Sequence, residues 1–353
     1  MKNHQLVNFL VAGIFMLTVY SCNQPQAQPE DLAAVPDKID KDQFVGRWSL
    51  YLPGGAGWLQ IKNNGNYYDG DLLWYGGSVL PVSSVVFTRD AMKVTSSREI
   101  VREKDENDLP TRVQTLTTWR TFTMVNENEL QGRAYVPQRN GIDVDMVEFT
   151  AKRLPSLPTA PELSELKYGK PMELFNGKDL NGWTLTNLES VNGWKVESGV
   201  LINDPVQEEG KAHIHYGNLR TEETFEDFNL KLGVNVPEGS NSGIYLRGLY
   251  EIQVMDSYGR PLDSHHMGGL YSRITPSESA EKPAGEWQEF DITLCDHHLT
   301  VMLNGKKIID NQPVMGVTGG ALSADEASPG PIYLQGDHGK VSYRNIVLTP
   351  ILK

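Results

Sequence analysis

WQEFDITLCDHHLTVMLNGKKIID, residues 287–310, decides the fold. Phe290, Ile292 and Leu294 alternate with Glu289, Asp291 and Thr293, the period of a strand with one buried face. The same alternation makes Cys295 a half-buried strand residue, an inert thiol rather than a nucleophile. Asn304-Gly305 then signals a tight hairpin. Asp296, His297 and His298 sit at another hairpin turn, where both histidines are expected to be exposed. Working outward, GWKVESGVLIND, DFNLKLGVNV, SGIYLRGLYEIQVMD and GPIYLQGDHGKVSYRNIVLTP repeat the pattern. Roughly a dozen short strands over 172–353 suit a two-sheet jelly-roll β-sandwich.

The preceding part is also strand-rich. GRWSLYL, GWLQIKNNGNYYDGDLLWYGG, VSSVVFTRD and RVQTLTTWRTFTMVNENELQGRAYV alternate between Asn-Gly, Gly-Gly and Asp/Asn turns, with no helical period. They predict a small antiparallel β-barrel or β-sandwich over 44–154, so the whole protein is expected to be all-β. Its tryptophans, Trp48, Trp58, Trp74 and Trp119, could line a sugar platform, although core packing is the commoner use. The proline-rich 155–171, LPSLPTAPELSELKYGKP in context, reads as a linker with room for a helical turn at PELSEL.

Forty-five acidic against 32 basic residues give a net charge of −13, without the basic face that nucleic acid requires. Lys2, the apolar run 6–20 and Ser21-Cys22 have the order of a signal peptide, 1–21, and resemble a bacterial lipobox. Cleavage would leave Cys22 as a lipidated first residue, with 22–43 as a flexible tether. The expectation is a protein of the bacterial cell envelope, periplasm-facing or on the cell surface, engaging the membrane through its lipid anchor only. Cys295 is the only other cysteine, so an acylated Cys22 leaves no intrachain disulfide.

YEIQVMDSYG, 250–259, raises the question of chemistry. Ile252 and Val254 point one way, Glu251 and Gln253 the other. The stretch is similar to the Glu-x-Asp-x-x-Glu strand of laminarinase-like glucanases, with Gln253 in place of the middle acid and Asp256 in place of the last. A retaining glycosidase needs carboxyl groups about 5–5.5 Å apart. Glu251 and Asp256 would share a face only across a bulge, and then lie roughly 13 Å apart between Cα atoms.

ELFNGKDLNGW, NGWKVESGVLIND, FEDFNLKLGV, NSGIYLRG, YEIQVMD, GGLYSRITP, KPAGEWQEFDI, LNGKKI and GPIYLQGDHGKVSYRNI occur in order. Together they resemble the 3-keto-disaccharide hydrolase family, over about 172–350. The resemblance implies a concanavalin-like sandwich acting on glycosides oxidised at C3, by hydrolysis or lyase-type elimination. The ketone acidifies the C2 hydrogen; a base removes it, and the C1 substituent leaves by β-elimination. That chemistry needs a base near C2, donors or positive charge near the C3 oxygen, and an acid for the leaving oxygen.

Glu251, Asp256 and His266 are the candidates for base and acid. Asn241, Arg247, Gln253, Tyr271, Lys282, Gln335 and His338 are candidates for holding substrate. Arg247 and Lys282 would support the enolate, and Tyr271 and Trp287 would offer stacking faces. A divalent metal ion, on Glu251, Asp256 and His265, is a further option, although their spacing matches no metal motif. His213 and His215, alternating in KAHIHYG, could chelate a metal or lie in a loop over the site. No Gly-x-Gly-x-x-Gly follows a strand, so the ketone would come from a partner, an upstream glycoside 3-dehydrogenase. The competing readings are a non-catalytic carbohydrate-binding lipoprotein and a laminarinase-like glucanase.

Overall fold

A computed structural model describes residues 39–208 and 210–352. The expected signal peptide, Cys22 and most of the tether lie outside the described residues. The protein is all-β, and its strands form three antiparallel sheets. Among the described residues, no helix is long and apolar enough to cross a membrane.

The first sheet is a nine-stranded meander in which the strand Gly46–Leu52 pairs with both Gly55–Asn63 and Val144–Arg153. Its edge strands are Leu80–Pro81 and Ser84–Phe87, consecutive in the chain. Between them the Val82 N–H donates to the Gly70 carbonyl and the Ser83 N–H to the Thr95 carbonyl. The sheet therefore curls until its edges meet, which removes the exposed edges of an open sheet. Inside lie Trp48, Leu50, Leu59, Ile61, Leu72, Phe122 and Phe149.

The second half is a sandwich of a nine-stranded and a five-stranded sheet. The larger centres on Phe228–Asn235, Trp287–Cys295 and Val341–Leu352; the smaller runs Trp183–Leu185, Leu219–Thr221, Tyr333–Leu334, Asn241–Leu246, Tyr250–Met255. Ile244, Leu246, Ile252, Val254 and Leu334 meet Leu230, Ile292 and Leu348 in the core. Alternation therefore sends Tyr245, Glu251, Gln253 and Tyr333 to the outer face of the small sheet.

The reading of both hairpin histidines as exposed is corrected. The turn is Asp296-His297, both with positive φ, at 45° and 55°. His298 is already the first residue of the strand His298–Leu303 and is buried, its Nδ1 donating to the Asp296 carbonyl at 2.8 Å. A hairpin closed by two residues leaves the third no choice but the ladder. The proline-rich segment also takes part in the fold: Leu163–Glu165 is a 3-10 turn, and Lys167–Tyr168 pairs with the end of the last strand.

The barrel and the sandwich share an apolar seam. Ala56, Trp58 and Leu73 of the barrel belong to the sandwich's core cluster. The Arg273 guanidinium lies 4.4 Å from the Trp58 ring centroid. Gly316 passes so close that a Cβ there would meet Trp58 Nε1 at 2.3 Å. Of the four tryptophans, Trp48 and Trp58 are buried, whereas Trp119 is exposed and stacked on Tyr135. Trp58→Ala should lower the unfolding free energy by about 3–5 kcal/mol. Urea unfolding measures this, and a loss below about 1 kcal/mol would show that the seam contributes little to stability.

Candidate functional site

Cross-strand register builds the outer face of the small sheet row by row. Arg220 lies opposite Tyr333, Tyr333 opposite Tyr245, and Tyr245 opposite Glu251. The Tyr245 and Tyr333 rings stack with centroids 4.1 Å apart. In the next row the Gln335 N–H donates to the Gly243 carbonyl, and Gly243 lies opposite Gln253. Gly243 leaves the space that the Glu251 carboxyl fills, since a Cβ there would sit 2.5 Å from Oε1.

Glu251 is only 4% exposed. Burial pushes its carboxyl up to about 8, against the hydrogen bond from Tyr245, which lowers it. Proton counting agrees. The Tyr245 hydroxyl lies 2.7 Å from Glu251 Oε2 and 2.7 Å from the Gly319 carbonyl, two acceptors for one phenolic proton. The chain of three oxygens is complete when Glu251 carries a proton and donates to Tyr245, which then donates to Gly319. Burial, with the negative charge of Glu251 second, also raises Tyr245 well above its ordinary value, so its proton stays in place.

The barrel reaches this spot. A Cβ on Gly319 would meet the Gly77 carbonyl at 2.2 Å. One residue on, Ser78 Oγ lies 2.8 Å from His265 Nε2, and Val79 N–H donates to Ser272 Oγ at 2.8 Å. His265 Nδ1 donates to Asp263 Oδ1 at 2.6 Å, which leaves Nε2 as the accepting nitrogen. The His265 ring stands edge-on to Tyr271 at 4.8 Å, and the Tyr271 N–H donates to the Glu251 carbonyl at 2.9 Å. Glu251, Tyr245, Tyr271 and His265 are thus one cluster, with the barrel's Gly77-Ser78 against it.

The other sequence candidates are placed differently. Of the adjacent histidines, His265 joins the cluster, while His266 donates from Nδ1 to the Pro261 carbonyl and lines a separate recess with Ser257 and Glu281. Asp256 accepts the Gly239 N–H at 2.9 Å and caps that turn. Gln253 is buried, its amide donating to the His265 carbonyl at 3.2 Å, so it holds the loop. Arg247 is buried and clamps the carbonyls of Glu326 and Ser328, and the Lys282 ammonium donates to the Trp287 carbonyl. Asn241 and Gln335 reach the outer face with amide oxygens that are buried and unpartnered, and His338 is exposed. Glu251, Asp256 and His265 do not converge as a metal-ligand set; among the described residues the groups that do are His213, His215, Asp337 and Asp227, Cys295, Asp296.

Sequence reasoning missed Tyr245, Asp263 and Ser78. Tyr245 was within reach, since it alternates with Ile244 and Leu246 in NSGIYLRG. Ser78 was not, because 187 residues separate it from His265.

The chain belongs to a known family: the model of the 3-keto-alpha-glucoside-1,2-lyase-like domain matches residues 170–349. This makes it a carbohydrate-active, glycosyl hydrolase-like protein. The chain is similar to a crystal structure of a candidate glycosyl hydrolase from Parabacteroides distasonis, with 27% identity over 55% of this chain and 93% of that one and a TM-score of 0.42. A second such structure from the same organism has 25% identity over 52% of this chain and 100% of that one, with a TM-score of 0.40. No curated protein matches this chain.

The titration of Glu251 has a consequence for stability. An unfolded glutamate ionises near 4.3, but in the fold this carboxyl keeps its proton up to about 8. Between those values the folded state binds the extra proton, so stability falls as pH rises through the window. Glu251→Gln cannot ionise. Its stability relative to the wild type should therefore rise by roughly 4 kcal/mol between about pH 5 and about pH 8. Urea unfolding across that range tests this, and parallel curves would mean that Glu251 is charged in the fold.

Proposed function

We propose that this protein cleaves glycosides carrying a ketone at C3 of the sugar ring. The observation that carries this reading is a buried Glu251 carboxyl hydrogen-bonded to Tyr245, linked through Tyr271 to a histidine oriented by Asp263. A protonated carboxylic acid beside a tyrosine hydroxyl is a known way of stabilising the enolate of a ketone. Family membership supports the same substrate class.

The roles follow from the protons. His265 Nε2 takes the hydrogen from C2, displacing the Ser78 hydroxyl, and Asp263 stabilises the resulting imidazolium. The C2–H electron pair moves into the ring as the C3 oxygen gains charge, and Glu251 turns its one proton from Tyr245 to that oxygen while Tyr245 keeps donating to the Gly319 carbonyl. The enolate then re-forms the ketone as C1=C2 forms and the C1–O bond breaks, with the departing oxygen taking a proton from the His265 imidazolium. Water added later to the double bond gives net hydrolysis. The unpartnered oxygens of Asn241 and Gln335 accept from sugar hydroxyls along the face.

The wider setting is part of the same proposal. Cys22 carries the lipid anchor, the protein works at the cell envelope, and an upstream glycoside 3-dehydrogenase supplies the ketone.

A retaining glucanase mechanism has less support, because Gln253 is an amide and Asp256 accepts from a turn N–H. The deciding experiment offers a 3-keto-glucoside and, separately, its unoxidised parent, and follows aglycone release and C2 proton exchange into deuterated water. Release is expected from the keto substrate alone. His265→Asn should lower both rates about 10²–10⁴-fold, the usual contribution of a positioned base. Release from the parent would favour the glucanase, and sugar binding with no turnover would make the protein a lectin.

A further inference from the structure

We infer that His213, His215 and Asp337 form a binding site for a borderline divalent metal ion such as Zn²⁺. One ligand atom from each residue lies within 4.8 Å of the others. His213 Nε2 is 3.7 Å from Asp337 Oδ2, and the two imidazole rings stand edge to face at 4.9 Å. In a tetrahedral zinc site, ligand atoms are about 3.4 Å apart, given bond lengths of about 2.0–2.2 Å. Exposed side chains close that difference by small torsional shifts. Two imidazoles with one carboxylate select a borderline metal over Mg²⁺ or Ca²⁺, which prefer oxygen.

Both halves of the site are held by side-chain hooks onto backbone. Ile214, between the two histidines, is gripped at both polar groups by Gln207: its N–H donates to Oε1 at 2.9 Å, and its carbonyl accepts from Nε2 at 2.8 Å. The Gly336–Gly339 turn that carries Asp337 is held by the buried Asn203, whose Nδ2 donates to the carbonyls of Gly336 and Gly339. The Tyr216 N–H donates to Asp337 Oδ1 at 2.8 Å, which orients the carboxylate and turns Oδ2 toward His213. Hydrogen bonds of this kind, which aim a ligand, typically affect metal affinity 10–100-fold.

Three protein ligands leave a coordination position open, the arrangement of sites that take a substrate oxygen rather than of structural sites. An ion here would offer that position to an oxygen of a glycoside. That sugar contact rests on the glycoside reading; the metal site does not, because it is measured without sugar.

The test uses the full chain, stripped with a chelator and dialysed. Co²⁺ is titrated in and followed by its visible d–d absorption, and Zn²⁺ is then used to displace it. Saturable binding of one ion is expected, with His215→Ala and Asp337→Asn each weakening Zn²⁺ at least about tenfold and Glu251→Gln leaving it unchanged. His213→Gln, with unaltered circular dichroism, provides a second ligand variant. Absence of saturable binding, wild-type affinity in the ligand variants, or loss of binding in Glu251→Gln would each overturn the assignment.

Discussion

A carboxyl group removed from water must be paired with a cation or keep its proton, because an isolated buried charge costs far more than a proton does. Glu251 is buried on a sheet face, and the group 2.7 Å from its Oε2 is a tyrosine hydroxyl, not a cation. Much around it is arranged on that condition. Gly243 makes room for the carboxyl, Tyr245 bridges it to Gly319, and the Gly319 backbone runs against Gly77 of the barrel. A second residue type at any of these points would let in water or force the group aside, and either would return it to an ordinary acid.

The same condition explains why the protein needs both halves. A β-sandwich alone has one sheet face open to solvent, where a glutamate would ionise freely. Here the barrel's Gly77-Ser78 turn lies against that face, and its Trp58 enters the sandwich's core. Ser78 hydrogen-bonds Nε2 of His265, while Asp263 holds Nδ1. The two parts of the chain therefore meet in the apolar seam and again at the Ser78–His265 hydrogen bond.

Polar side chains of the face fall into two groups. Gln253, Arg247, Lys282 and Asp256 bond backbone groups of loops and turns. Asn241 and Gln335 retain buried oxygens without a partner. Unsatisfied groups of that kind are costly in a fold.

Alternation and turn chemistry by themselves determined that the chain is all-β, that a small antiparallel barrel or sandwich precedes the jelly-roll sandwich, and that Glu251 and Gln253 face away from Ile252 and Val254; the three-dimensional structure chose the barrel. Nine ordered motifs determined the family. These properties are legible because a strand's period and a turn's backbone are local. Which of two adjacent histidines packs on Tyr271 was decided only in three dimensions, since a loop has no period to assign its side chains. The same holds for Arg247, an attractive donor in SGIYLRG that instead closes a loop, and for Ser78, which meets His265 across 187 residues. Burial of Glu251 also belongs to the tertiary structure, because Gly243, Tyr245, Thr318 and Tyr271 close on it from different parts of the chain.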